Sequence, residues 1–286
     1  MAALLAVMAL LSLGAGTDTL FVEESTFGSF QNATRLCVTP QGSIYVVDGE
    51  RNTILLFKNP AAEPIVVGGY GWSSTSFDQP TSISTDGINI YVADFGNHRL
   101  QRFDRNLNFI STFATRDTSV EAARFGYPAG AIVSRFGDLF ILDSENLRVA
   151  KFAPQLRFER SFGSIETEKG RIRRPRKLLS APDDHIIVME PDRLIEYDYF
   201  GNYVRTIGEG VFLSARGFDV SARGIVVATD SSLFWFSLRG ESVRITPVAT
   251  ILSSKPLAPL ADVAVTQNRL YILGRDRVSV FRIVDD

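Results

Sequence analysis

At residues 77–83 and 90–100 the chain reads Phe77-Asp-Gln-Pro-Thr-Ser-Ile83 and Ile90-Tyr-Val-Ala-Asp-Phe-Gly-Asn-His-Arg-Leu100. The apolar part of each run is short and rich in β-branched and aromatic residues, which is typical of β-strands. Polar and glycine-containing turns bound both runs. This part of the chain therefore predicts short strands joined by tight turns, with no helical periodicity.

The same pattern recurs six times along the chain, and three markers define it. The first is a bulky apolar residue three positions before a proline or small residue that opens a strand: Phe30, Phe77, Phe125, Ile172, Phe212 and Leu257, at spacings of 47, 48, 47, 40 and 45. The second is an apolar run that starts at Ile44, Ile90, Leu139, Ile186, Ile225 and Leu270. The third is an aromatic residue that ends the next strand: Phe57, Phe103, Phe152, Tyr197, Phe236 and Phe281. Six coincident triplets predict six equivalent structural units.

Each unit holds four short strands, and the second strand is apolar at nearly every position. Such a strand is buried on both faces, as between the neighbouring blades of a propeller. We therefore predict an all-β, six-bladed β-propeller. The predicted blades span approximately residues 30–76, 77–124, 125–171, 172–211, 212–256 and 257–286.

The sixth unit ends after its third strand, so another segment has to complete it. Residues 19–23, Thr-Leu-Phe-Val-Glu, have strand composition and lie at the expected distance before the first repeat. Pairing this strand with the last blade would remove two exposed sheet edges. We expect a ring closed by the N-terminal strand, in a monomer.

The motif around residues 77–100 resembles the NHL repeat at nearly every position, and the third unit, from Phe125-Gly-Tyr-Pro128 onward, resembles it well. The first unit has its Asn displaced by one position. Units four to six are shorter by two residues in the turn after the second strand, so we expect the Asn and Arg of the pattern to be lost there. The resemblance implies a six-bladed propeller. It leaves the function open, because this fold hosts lyases, lactonases, RNA-binding proteins and protein-binding scaffolds.

The N-terminal segment differs from the repeats. Residues 2–13 are apolar except for Ser12, and small residues follow at 14–16, which predicts a signal peptide over residues 1–16 and a propeller domain over residues 17–286. An extracytoplasmic location, periplasmic or secreted, follows from that prediction. Cys37 is the only cysteine, so an intrachain disulfide and a multi-cysteine zinc site are excluded.

Residues that follow the strand-opening positions are expected to ring the mouth of the central channel. They are Arg35, Ser82, Gly130, Arg176, Lys177, Arg216 and Asp262. The run from Lys169 to Lys177 adds to them, because six of its nine residues are basic. Arginine binds carboxylate, phosphate and sulfate groups in a bidentate manner. We therefore predict that Arg35, Arg176, Lys177, Arg216 and Asp262, together with His98, bind a ligand, and that this ligand is a protein, a peptide or an anionic glycan.

A catalytic constellation is not found in the sequence. The only histidines are His98 and His185, and the repeat alignment places them on opposite faces, so they cannot share a metal ion. No metal site, cofactor or catalytic residue is therefore predicted, and Asp94–Arg99 and Asp143–Arg148 are interpreted as pairs that hold their turns. An extracytoplasmic hydrolase or lyase is the alternative function. RNA binding is the other alternative if the apolar N-terminus is retained in a cytosolic protein, because the basic residues at the channel mouth could then bind RNA. The net charge of −2 itself gives no general attraction to nucleic acid.

Overall fold

A computed structural model of the protein describes residues 20–284. The described chain forms 24 strands in six sheets, and each sheet has four antiparallel strands. Two short 3₁₀-helices, Glu121–Ala123 and Val248–Thr250, lie in loops between sheets. Among the described residues no helix is long and apolar enough to cross a lipid bilayer. The chain is a six-bladed β-propeller, as the repeats predict.

Successive strands of a blade lie side by side, and the first strand of each blade is nearest the central channel. The first three blades contain β2 (Ala33–Val38), β3 (Ile44–Asp48), β4 (Thr53–Phe57), β5 (Ile65–Gly68), β6 (Pro80–Thr85), β7 (Asn89–Asp94), β8 (Arg99–Asp104), β9 (Phe109–Phe113), β10 (Pro128–Val133), β11 (Leu139–Asp143), β12 (Arg148–Phe152) and β13 (Phe158–Phe162). The last three contain β14 (Lys177–Ser180), β15 (Ile186–Glu190), β16 (Arg193–Tyr197), β17 (Tyr203–Ile207), β18 (Gly217–Ser221), β19 (Gly224–Ala228), β20 (Ser232–Phe236), β21 (Ser242–Pro247), β22 (Leu260–Val265), β23 (Arg269–Gly274) and β24 (Val278–Val284).

The ring is closed by β1 (Leu20–Phe27), which pairs antiparallel with β24 as the fourth strand of blade six. The register runs from Leu20 opposite Val284 to Phe27 opposite Val278. Closure by the N-terminal strand is confirmed, and the strand extends four residues beyond the predicted end at Glu23. Thr19, residues 285–286 and the predicted signal peptide lie outside the described residues.

The core lies between neighbouring blades and is built from the predicted markers. The aromatic residues that end the third strands are all buried: Phe57, Phe103, Phe152, Tyr197, Phe236 and Phe281. All five residues of β3, β11, β15 and β19 are buried as well. Burial of one such large apolar side chain contributes about 1.5–3 kcal/mol, so this repeated pattern supplies much of the stability of the ring.

Acidic residues at the ends of the second strands anchor the loops of one face, which we call the upper face. Arg99 donates to Asp94 at 2.7 Å, and Arg148 donates to Asp143 at 3.1 Å, as expected. Blade four keeps this device although its turn is shorter. There Arg193 donates to Glu190 at 2.8 Å, so the expectation that the arginine is lost in this blade is wrong. The pairs fix the upper loops in place, which positions the residues at the channel opening.

Candidate functional site

Six equivalent residues encircle the channel one step below its upper opening. Each pairs with the second-strand residue that directly precedes Asp48, Asp94, Asp143, Glu190, Thr229 or Gly274, and the set is Arg35, Ser82, Gly130, Lys177, Gly217 and Asp262. We call this set the ring layer. Only three of its members are charged, and they belong to blades one, four and six.

Lys177 and Asp262 form a buried ion pair within the ring layer. The Lys177 Nζ lies 2.7 Å and 2.8 Å from the two carboxylate oxygens of Asp262, which also accepts a hydrogen bond from the Leu36 N–H at 3.0 Å. Gly217 of blade five lies between them, and a Cβ there would be 1.9 Å from Asp262 Oδ1. The missing side chain therefore leaves space for the pair. Lys177 and Asp262 do not line the opening, so the prediction that they ring it is corrected.

The upper opening is a pocket of about 360 Å³ lined by residues of blades one, four, five and six. Four arginines line it: Arg35, Arg176, Arg216 and Arg275. We call these four residues the arginine mouth. The remaining lining is mostly proline, alanine, leucine and small polar residues, so the pocket combines concentrated positive charge with an apolar wall.

Arg35 starts in the ring layer and its guanidinium reaches upward into the mouth. It donates to the carbonyls of Thr34 at 2.7 Å and Arg176 at 2.9 Å, and it lies 3.5 Å from the carbonyl of Arg216. Burial lowers the pKa of Arg35, while the Asp262 carboxylate raises it. The Nε of Arg35 is buried without a hydrogen-bond partner. Arg35 therefore forms a fixed, positively charged floor whose buried Nε–H is unsatisfied.

The other three arginines of the mouth differ in their pairing. Arg216 is held by Asp230 through contacts of 2.8 Å and 3.2 Å, and this pairing raises the pKa of Arg216. Arg176 and Arg275 are exposed, and the described residues give neither guanidinium a partner. Arg275 and Asp230 were not among the residues predicted from the sequence. Both follow the second strand of a blade, as do the turns of blades one to four on this face, so the repeat pattern could have indicated them.

A second cavity of about 150 Å³ lies in the channel below the ring layer, and all six blades contribute to its lining. Asp219 faces this cavity and accepts a hydrogen bond from the Val265 N–H at 2.6 Å. Burial raises the pKa of Asp219 to about 6, with a smaller rise from the nearby Asp262 carboxylate and a lowering by Lys177. Cys37 lines the same cavity, and burial raises the pKa of its thiol to about 12. The thiol is therefore neutral at physiological pH and is a poor nucleophile.

His98 lies on the upper face, but outside the arginine mouth. Its Nδ1 accepts hydrogen bonds from the Arg116 guanidinium at 2.8 Å and from the Tyr127 N–H at 3.1 Å. Arg116 also contacts Glu145 at 3.2 Å. Burial lowers the pKa of His98, and Arg116 lowers it further. The structure therefore places His98 in a neutral bridge between blades two and three, apart from the other predicted ligand-binding residues.

One group among the described residues has the composition of a metal site, and it lies on the opposite, lower face. Asp183, His185 and Glu196 bring three ligand atoms within 4.8 Å of one another. However, the His185 Nδ1 lies 2.6 Å from one oxygen of Glu196, and Arg205 donates to the other at 2.6 Å. Both oxygens of this buried carboxylate are thus already engaged, one by His185 and one by Arg205. The group ties the turn before β15 to β16 in blade four.

Comparison with known sequences gives one local match. The family model "NHL repeat" matches residues 77–103, which is the stretch that resembles the repeat most closely. No curated protein matches the chain.

Comparison with solved structures shows the same fold in proteins of very different sequence. A streptogramin B lyase superposes with a TM-score of 0.63 at 7% identity, over 94% of this chain and 98% of the other. Virginiamycin B lyase from Staphylococcus aureus gives 0.62 at 9% identity, over 93% and 100%. A protein of unknown function from Bacteroides thetaiotaomicron gives 0.65 at 10% identity, over 92% and 73%. At these identities the likeness concerns the fold alone.

Proposed function

Because the chain is a six-bladed β-propeller of the NHL-repeat family, we propose that it is a non-catalytic binding module. Its arginine mouth takes an anionic group of a protein, peptide or glycan partner. The observation that carries this proposal is the pair of exposed guanidinium groups, Arg176 and Arg275, which face a pocket without a side-chain partner. A concave site with a few convergent polar groups is the usual form of a ligand pocket.

The charge balance of the mouth supports an anionic ligand. Asp230 neutralises Arg216, and the remaining three arginines leave a formal charge of three positive units around one pocket. Such clusters attract anions over a distance set by the salt concentration. The exposed Arg173 and Arg174 continue the positive charge outward over blade four, although Arg174 contacts Asp192 at 3.0 Å. A partner can therefore meet positive charge both at the mouth and beside it.

Two features of the site favour binding over catalysis. The two histidines lie on opposite faces. The Nδ1 of His98 is engaged by Arg116, and the Nδ1 of His185 is engaged by Glu196. Within the mouth, the described side chains include no histidine, cysteine or lysine, and the one carboxylate is paired with Arg216. General acid–base chemistry needs a titratable group with a pKa near the working pH within reach of the ligand.

We further propose that the protein acts outside the cytoplasm as a monomer. The apolar run at residues 2–13 supports export, and the closed ring leaves no unpaired blade that a second copy would complete. Cell fractionation combined with N-terminal sequencing tests the location. A mature chain that begins near residue 17 in the exported fraction supports it, and a cytosolic chain that retains residues 2–13 overturns it.

Retention on an anionic matrix tests the binding proposal. We expect the Arg176→Ala/Arg275→Ala double variant to elute from a carboxylate or heparin matrix at clearly lower salt than the wild type. The matched control is Arg105→Ala/Arg157→Ala, which removes the same charge from turns on the lower face. Equal loss of retention in both double variants would show that net charge, and not the mouth, governs binding.

A lyase is the second candidate function, and the likeness of fold to the streptogramin B lyases favours it. One of those structures is described as a catalytically inactive histidine-to-alanine variant with quinupristin. His98, next to Arg116 and Glu145, is the histidine of this chain on the upper face. Incubation with quinupristin, with and without added calcium or zinc, tests this function. Turnover that His98→Ala abolishes would replace the binding proposal by an enzymatic one.

A further inference from the structure

We propose that the anionic group recognised by the arginine mouth is the free C-terminal carboxylate of a peptide or protein whose last residues are apolar. This inference rests on the proposed binding function and narrows its ligand class. Three features of the pocket carry it: the free guanidinium groups, the state of the backbone donors, and the apolar wall.

The free guanidinium groups indicate which shape of anion fits the pocket. Arg176 on blade four and Arg275 on blade six offer complete donor forks, whereas Arg216 between them is already bound by Asp230. A guanidinium fork matches a planar carboxylate with two parallel hydrogen bonds. The buried and unpartnered Nε of Arg35 lies on the floor of the same pocket. A carboxylate that enters between the two free forks therefore approaches a third positive group.

Several backbone N–H groups around the mouth are already engaged by other acceptors. The N–H groups of Ala33, Arg176, Ala215 and Arg216 donate to other carbonyls at 2.8–2.9 Å, and that of Leu260 donates to Asp230 at 3.4 Å. Phosphate sites commonly use successive backbone N–H groups that point at the ligand. None of these engaged N–H groups is left to point at a ligand, so the exposed side chains are the main donors at this site, which favours a carboxylate over a phosphate.

The wall of the pocket fits the residues that precede a chain terminus. Ala215, Pro259 and Leu260 form an apolar surface on the side of blades five and six. Leu213 stands at the rim next to the lining residue Ser214, and 73% of its surface is exposed. An apolar side chain of a bound peptide would cover Leu213. The volume of about 360 Å³ lies at the small end of ligand pockets, which are roughly 300–1,000 Å³, and suits a few residues.

Asp230 argues against ligands that carry several negative charges. Its carboxylate is about half exposed at the rim and contacts only Arg216 among the described side chains. It would repel a second anionic group close to the first. The same carboxylate can accept a hydrogen bond from a peptide N–H near the terminus. A peptide terminus therefore suits the whole site: its single carboxylate fits the arginines, and the amide groups that precede it fit Asp230.

Three immobilised heptapeptide libraries test the inference. The first has free carboxyl termini, the second is identical but amidated, and the third is amidated and carries one phosphoserine. We expect the wild-type protein to select peptides with apolar last residues from the first library. Amidation of a selected peptide should weaken its binding at least about tenfold, because a charge-assisted contact is lost. Arg176→Gln/Arg275→Gln should abolish the difference between acid and amide, and Arg105→Gln/Arg157→Gln should keep it.

The outcomes separate this inference from the binding function itself. Equal binding of acid and amide forms, or selection from the phosphoserine library alone, would overturn the terminal carboxylate while the anion-binding function stands. Retention of no library would also overturn it, and the matrix experiment with the arginine variants decides the wider function independently. Apolar selection that survives Leu213→Ser unchanged would overturn the predicted contact between the peptide and Leu213 at the rim.

Discussion

The ring layer and the arginine mouth meet at Lys177 and Arg176, which are neighbours in the sequence, yet the charges of these two residues are used in opposite ways. In the ring layer, Lys177 and Asp262 are buried and satisfy each other at 2.7 Å. In the mouth, Arg176 and Arg275 are exposed and have no side-chain partner among the described residues. A buried charge without a partner is strongly destabilising, whereas an exposed one is tolerated. The comparison indicates that the inner charges hold the ring together and the outer charges are available to a ligand.

Removal of one member of the buried pair should have the largest effect. Lys177→Met leaves the Asp262 carboxylate buried and uncompensated, so we expect a loss of about 3–5 kcal/mol in the free energy of unfolding. Urea denaturation followed by tryptophan fluorescence measures it. The double variant Lys177→Met/Asp262→Asn should recover most of the loss. A single variant that unfolds like the wild type would contradict the structural role of the ring layer.

The charge on Asp219, just below the ring layer, should appear as a pH dependence of stability. Lys177, Asp262 and the Cys37 thiol are the titratable groups that act on it or share its cavity. Its pKa is raised in the folded state, so the folded protein binds the proton more tightly than the unfolded chain. The resulting destabilisation is absent below about pH 4 and complete above the folded pKa of about 6. It amounts to at most about 3 kcal/mol.

Asp219→Asn tests this expectation, because asparagine keeps an oxygen for the Val265 N–H. The free energy of unfolding should fall between pH 4 and pH 7 in the wild type and stay flatter in the variant. A parallel pH dependence in both proteins would assign the slope to other groups.

The space beside Asp262 allows a test of how closely the ring layer is packed. Gly217→Ala places a Cβ 1.9 Å from Asp262 Oδ1, so the Lys177–Asp262 pair has to shift. We expect a loss of about 1–3 kcal/mol, the usual effect of overpacking. Gly274→Ala is the matched control, since its Cβ would meet no atom closer than 3.6 Å. Thermal unfolding of both variants measures the difference, and equal stability would argue against a close fit at Gly217.

The mouth should show the smallest effect on stability. Arg176→Gln/Arg275→Gln removes two exposed charges that have no partner, so the free energy of unfolding should stay within about 0.5 kcal/mol of the wild type. Binding to the anionic matrix should fall nevertheless. Loss of stability comparable to that of Lys177→Met would show that the mouth arginines are structural.

The sequence was sufficient for the fold because its information is repeated. Six apolar second strands and six aromatic residues at equivalent positions leave few arrangements other than a ring of blades. The segment that contains Phe21 could be assigned to blade six because the last repeat lacked a fourth strand. The turn of blade four was interpreted less well, since Glu190 and Arg193 are closer together than the corresponding residues of blade two.

The site could be predicted only in part, because its two layers differ by one position. Arg176 and Arg216 directly follow the strand-opening residue, whereas Arg35, Lys177 and Asp262 lie one residue further along. In blades one and six a β-bulge lies directly after the strand-opening residue, whereas blades four and five have no bulge there. That local geometry decides how deep each charged side chain lies in the channel and whether it pairs across blade five. A repeat alignment alone therefore grouped paired and unpaired charges together.

A crystal structure of the protein with a selected free-carboxylate peptide would show where the ligand binds. We expect the terminal carboxylate in the arginine mouth, with its oxygens about 2.7–2.9 Å from guanidinium nitrogens of Arg176 or Arg275. The Lys177–Asp262 pair below should remain intact. A peptide bound on the lower face or along an outer strand, with no anion between Arg176 and Arg275, would contradict this expectation.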